Sequence, residues 1–195
     1  MYRSVPSWNL LTQMKFTETK IKGLFIIEPK LWRDDRGYFY ESYSKNAFEQ
    51  AGIFAEFVQD NQSLSQKGTL RGLHAQDNPS AQGKLVRVIQ GSVIDVAVDI
   101  RRNSSTYGQH VSIELNDSNH KMFWVPPGFL HGFVTLEDRT IFTYKVTNLY
   151  DKAAEIGVHW NDPDLNIDWG IDHSELILSD KDKELPRFKD FVSSF

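Results

Sequence analysis

Cysteine is absent from this chain of 195 residues, which excludes a disulfide framework and any thiolate metal site. The absence fits a reducing compartment. No window is long and apolar enough to cross a bilayer, and the opening MYRSVPSWNLLTQ lacks the continuous apolar run of a signal peptide. A positive excess is missing too: 22 Lys and Arg against 26 Asp and Glu leave a net charge of -4. Affinity for nucleic acid rests on a basic surface that neutralises phosphates, so no nucleic-acid partner is expected. A small anionic ligand needs only a few local arginines. The expectation is a soluble, cytoplasmic protein with no membrane association.

What is present is the composition of a globular chain, 40% hydrophobic and 13% aromatic, and the length suits one domain. MKFTETKIKG reads as a fresh start at Met14, which leaves residues 1–13 as an extension expected to be poorly ordered and 14–195 as the single domain. Short β-type runs recur between Gly, Pro, Asn and Asp: LFIIE (24–28), GYFYESY (37–43), KLVRVIQ (84–90), SVIDVAVDI (92–100) and HVSIEL (110–115). KMFWV (121–125), HGFVTL (131–136), TIFTYKV (140–146) and IGVHW (156–160) continue the series. Many short, evenly spaced strands predict an antiparallel sandwich or barrel. Gly91, between two of them, reads as a hairpin hinge. SKNAFEQAG predicts the one clear helix, with Ser44 as N-cap, Ala47, Phe48 and Ala51 as its apolar side and Gly52 as its stop. The charged tail from about Asp172 is expected to pack over the strands.

SVIDVAVDI alternates, with Ile94, Val96, Val98 and Ile100 on one face and Val93, Asp95, Ala97 and Asp99 on the other. This predicts a half-buried strand; two acids on a strand face are more often solvated than functional, but in a barrel with a polar lumen they could instead support an active site.

Of six histidines, His110, His120, His159 and His173 have no special company. His74 lies in TLRGLHAQ, beside an arginine and a glycine, and His131 follows the turn PPG in PPGFLHGF. A metal site would need clustered ligands. Gln76 and Phe133 stand where a second ligand would fall, so no metal is expected. An imidazole that titrates near neutrality can instead remove a proton from carbon beside a ketone. It then needs a carboxylate to hold it and a cation at the enolate oxygen. Asp182, Lys84 and Tyr144 are candidates for supporting roles. Spacing alone leaves Lys84 equally an ordinary strand-end lysine and Tyr144 an interfacial aromatic.

Eight segments then occur in a telling order: DDRGYFYESY, FVQDNQS, LRGLHAQ, AQGKLVRVIQGSVIDVAVDIRRNSSTYGQ, WVPPGFLHGF, YKVTNLYD, GVHWNDPDLNIDW and LSDKD. Together they closely resemble the dTDP-4-dehydrorhamnose 3,5-epimerase family, over about Ile21 to Asp182. The resemblance implies an all-β, cupin-type jelly-roll barrel with a few short helices. It implies that His74 is the base, Asp182 its partner, Lys84 the group near the ketone oxygen and Tyr144 the proton donor. It places Arg36, Glu41, Gln59, Asp60, Asn61, Arg71, His131, Glu155 and Lys181 among the residues that bind the nucleotide sugar. It further implies a homodimer whose N-terminal strands complete the neighbouring site, which would let Arg36 and Glu41 act across an interface.

The expected reaction inverts carbons 3 and 5 of dTDP-4-dehydro-6-deoxy-D-glucose, giving dTDP-4-dehydro-L-rhamnose. No cofactor is needed, since no net redox change occurs. Inversion of a single carbon and catalytically silent sugar binding are the alternatives. One departure stands out: the family has an aromatic after the histidine of its RGLH motif, and this chain has Ala75. An inward-pointing residue there would alter substrate placement, whereas an outward one would cost only packing.

Overall fold

Runs rich in β-branched and aromatic residues form the strands, and Gly, Pro, Asn and Asp cut them short. The structure, a computed structural model, describes residues 14–195; the expected extension over residues 1–13 lies outside the described residues. The first strands are β1 (Met14–Glu18), β2 (Phe25–Pro29), β3 (Trp32–Asp34) and β4 (Gly37–Phe39). After helix α1 (Lys45–Gln50) come β5 (Gln59–Ser65), β6 (Leu70–Gln76), β7 (Lys84–Gln90), β8 (Ser92–Asp99) and β9 (His110–Asn116). β10 (Met122–Val125), β11 (Phe129–Thr135), β12 (Thr140–Val146) and β13 (Glu155–Gly157) complete the set, and helix α2 (Asp180–Lys183) lies in the tail.

They build an antiparallel sandwich of jelly-roll type. One sheet runs β1-β2-β10-β7-β12-β5 and the other β13-β6-β11-β8-β9, with β3 and β4 forming a separate hairpin. Between the sheets, Val86 and Val88 of β7, Phe142 of β12 and Phe123 of β10 pack against Val93, Ala97, Phe129 and Phe133 of the second sheet. The outer face of the first sheet is covered by α1, where Phe48 and Ala47 meet Met14, Ile27, Leu85 and Trp124. The outer face of the second sheet is covered by the C-terminal segment of the chain, through Trp160, Leu165 and Trp169, with Leu178, Phe188 and Phe191 packed on them. The tail thus lies over strands, as its position in the sequence suggested.

This double covering decides the open reading of β8 against a solvated face. Its two faces are assigned correctly, but neither meets solvent. Val96 and Val98 point to the outer layer, and the face carrying Asp95 and Asp99 points between the sheets, so both carboxylates are fully buried. Asp99 is satisfied locally by Arg101, Ser104 and Thr106. The Gly91 hinge is corrected. β7 and β8 belong to different sheets, so Gly91, at φ +83°, turns the corner from one sheet to the other. Helix α1 falls where expected, with Ser44 at the N-cap position but without a side-chain cap bond. GYFYESY gives only the three residues of β4 to strand, and the polar strand β5 has no counterpart among the expected runs.

Candidate active site

At one end of the sandwich the space between the sheets is left unfilled by apolar side chains. The cavity, about 560 Å³, is lined by His74, Arg71, Lys84, His131, Tyr144, Lys181 and Asp182, over a floor that includes Phe133 and Phe142. These two rings stack with centroids 4.0 Å apart. Seven of the expected site residues therefore share one cavity.

Strand register explains how they meet. On β6 and β11, His74 and His131 are direct cross-strand partners. Across the cavity, Tyr144 pairs with Val86 of β7 and Asn61 of β5, and Lys84 lies two residues before Val86 on the same face. His74 and Tyr144 thus come from opposite sheets. The glycine of RGLH has a spatial reason. A Cβ on Gly72 would lie 2.5 Å from Gly132 Cα, in a backbone at φ +137°. Only paired glycines let β6 and β11 approach this closely.

His74 Nε2 is hydrogen-bonded to Asp182 Oδ1 at 2.7 Å. Asp182 is buried at the start of α2, where its backbone N–H donates to Ser179 Oγ. Burial opposes its ionisation, but the hydrogen bond and charge of His74 prevail and hold its carboxyl below the usual range. With Nε2 engaged, Nδ1 of His74 is the nitrogen left for a reacting proton. Burial pushes the Lys84 ammonium down to about 8, against the opposing pull of Asp95 and Glu155. Burial raises the Tyr144 phenol, with Arg71 opposing, so the phenol keeps its proton at neutral pH. Arg71 reaches Ser65 Oγ only at 3.5 Å and forms no ion pair among the described residues, which leaves its guanidinium available to an anion.

The other expected residues lie further out. Glu155 sits at the rim, accepting from Lys181 and from the Tyr150 hydroxyl. Gln59 donates to Asn61 Oδ1 at 2.7 Å along β5. Asp60 is exposed and paired with Lys145 at 2.9 Å, in an adjoining groove that Asn61 and Tyr144 also line. Arg36 is not brought to this cavity: it is in the β3–β4 turn, exposed and paired with Asp34. Glu41, just beyond the same hairpin, is not among the cavity-lining residues. Ala75 belongs to the apolar layer on the outer face of the second sheet and does not line the cavity. Its small size is a packing matter.

Two further residues were not named for the site in the sequence: Asp95, seen only as one of two acids on a strand face, and Ser63. Asp95 accepts from His131 Nε2 at 2.9 and 3.0 Å. Ser63 Oγ is the one buried side-chain polar atom without a partner among the described residues, and Ser63 lines the cavity. A buried serine in a polar strand carries no sequence signal of its own.

Among the described residues no helix is long and apolar enough to cross a membrane. The family model described as dTDP-4-dehydrorhamnose 3,5-epimerase matches residues 18–190. The dTDP-4-dehydrorhamnose 3,5-epimerase of Shigella flexneri is 48% identical over 178 residues, 91% of this chain and 97% of that protein. The crystal structure of the enzyme of the same name from Elizabethkingia anophelis is 49% identical, with a TM-score of 0.88 over 91% of this chain and 98% of that one. The dTDP-6-deoxy-D-glucose-3,5-epimerase of Legionella pneumophila, solved in complex with dTDP-4-keto-L-rhamnose, is 46% identical with a TM-score of 0.88, covering 92% and 95%. By profile, sequence and fold, the chain belongs to the dTDP-4-dehydrorhamnose 3,5-epimerase family.

Proposed function

We propose that His74 and Tyr144 carry out the family's reaction on a dTDP-sugar held in this cavity. The chain is an isomerase that inverts carbons 3 and 5 of dTDP-4-dehydro-6-deoxy-D-glucose, in the making of dTDP-L-rhamnose. A ketone at carbon 4 acidifies the hydrogens on both neighbouring carbons. His74 takes the proton from one of them, and the electron pair moves into an enolate whose oxygen Lys84 stabilises. Asp182 holds the imidazolium that forms. Tyr144 then delivers a proton to the opposite face of the same carbon, and exchange with water restores both groups before the second inversion.

One observation carries this reading: the imidazole and the phenol project from opposing sheets into one cavity. A base alone would return the proton to the face it left. The prevailing catalytic contribution is electrostatic, from cations fixed in a water-poor site before charge develops. Arg71 is assigned to the diphosphate because its planar fork donates two hydrogen bonds and stays charged. His131, Lys181, Glu155, Gln59, Asp60 and Asn61 are assigned to binding the rest of the substrate. Arg36 and Glu41 are assigned to the partner's cavity in a homodimer; the exposed Tyr38 and Phe39 of the same hairpin supply apolar surface for that contact.

Heavy water tests the reaction. Incubating the enzyme with its substrate in deuterium oxide is expected to place deuterium at carbon 3 and carbon 5. Label at one carbon only would reduce the activity to single inversion, and label at neither would end the assignment.

A further inference from the structure

The reaction as described leaves one buried carboxyl, held against a cavity-lining histidine, without a task. Asp95 is fully buried, and both its oxygens are met by the same nitrogen, Nε2 of His131. A lone buried carboxylate is expensive to desolvate and survives where it holds another charge. His131 is itself only 7% exposed, lines the cavity and is the cross-strand neighbour of His74. Its Nδ1 has no hydrogen-bond partner among the described residues. Lys84, from the opposite sheet, lies within electrostatic reach of the same carboxylate.

We infer that Asp95 is a positioning residue for the epimerisation: its carboxylate fixes the orientation and tautomer of His131 and sustains the positive charge of Lys84 beside the reacting carbons. This rests on the reaction proposed above. With Nε2–H directed at Asp95, Nδ1 of His131 is presented to the bound sugar as a hydrogen-bonding atom of defined character. The same carboxylate opposes the effect of burial on Lys84, so the lysine stays cationic at the pH where it must meet an enolate. The elements packed around the pair contribute Lys84 from β7, Tyr144 from β12, and Arg71 and His74 from β6; β9 contributes the apolar Ile113. Burial prevails in raising the Asp95 carboxyl above its usual range, with the charge and hydrogen bond of His131 and the charge of Lys84 pulling it back toward the ionised form.

The test is the Asp95→Asn variant of the whole chain, read by kcat, KM and the pH profile of kcat/KM. The wild type is expected to lose activity as pH rises through about 8, where Lys84 gives up its proton. In Asp95→Asn that alkaline limb moves to lower pH, kcat falls by about 10- to 100-fold, and KM changes far less. An unmoved limb with kcat intact would overturn the inference. Should Asp95→Asn fail to fold, ¹⁵N NMR of the histidine rings in the wild type decides. A proton on Nε2 of His131 supports the assignment, and an unprotonated Nε2 overturns it. His74→Ala, assayed alongside, separates the two levels: persistent exchange there removes the underlying reaction, whereas lost exchange with a normal Asp95→Asn removes only the role of Asp95.

Discussion

Two histidine–carboxylate pairs stand side by side on the second sheet, alike in chemistry and unlike in setting. His74 keeps 22% of its side-chain surface exposed and meets Asp182, which arrives from the tail 108 residues later. His131 keeps 7% and meets Asp95 from the adjacent strand, with none of that carboxylate exposed. A proton taken by the first pair can be passed to water at the cavity mouth. The second is sealed beneath and suited to holding a fixed hydrogen-bond pattern. In the proposed reaction exposure, more than residue type, divides the labour between a reagent and a support.

The division can be broken most directly at the histidines. His74→Ala is expected to lower deuterium incorporation at both carbons by about 10³-fold or more, while His131→Ala lowers it by a smaller factor and weakens substrate binding. Calorimetry with dTDP should find nucleotide affinity preserved in His74→Ala. Equal losses at the two positions would erase the distinction. The carboxylates sharpen it: Asp182→Asn keeps a hydrogen-bonding side chain but removes the charge that holds the imidazolium, so kcat is expected to fall by about 10²- to 10³-fold. That loss should exceed the one in Asp95→Asn; the reverse order would make the sealed pair the reacting one. The smallest effect belongs to Ala75→Phe. Because Ala75 packs on the outer face of the same strand, kcat/KM should change by less than about twofold, with any penalty of about 1–3 kcal/mol appearing as a lower Tm.

How legible the molecule was in its sequence varied with the local signal. KLVRVIQ and TIFTYKV emerge as β7 and β12 at the expected residues, since apolar side chains with turn residues at both ends leave little choice. β5, QDNQSLS, escaped because its inward side chains face a ligand cavity: Asn61 and Ser63 stand where a packed strand would carry valine. β8 was left open between a solvated and a functional polar face, for the opposite reason. Alternation normally marks one wet face, but here both faces are covered and the polar positions are buried features of the site. The residues named for the chemistry came together because the ordered motifs resemble a family. Spacing alone could not relate His74 to an aspartate from the far end of the chain. Arg36 and Glu41 lie away from the cavity, and no pattern within the sequence relates them to it.

The touching glycines of β6 and β11 have a consequence for how this scaffold can change. Main chain meets main chain there, so the separation of the two imidazoles is set by covalent geometry rather than by how neighbouring side chains interlock. The walls around them are free to be resculpted for a differently decorated sugar without disturbing the distance between the proposed base and the imidazole beside it.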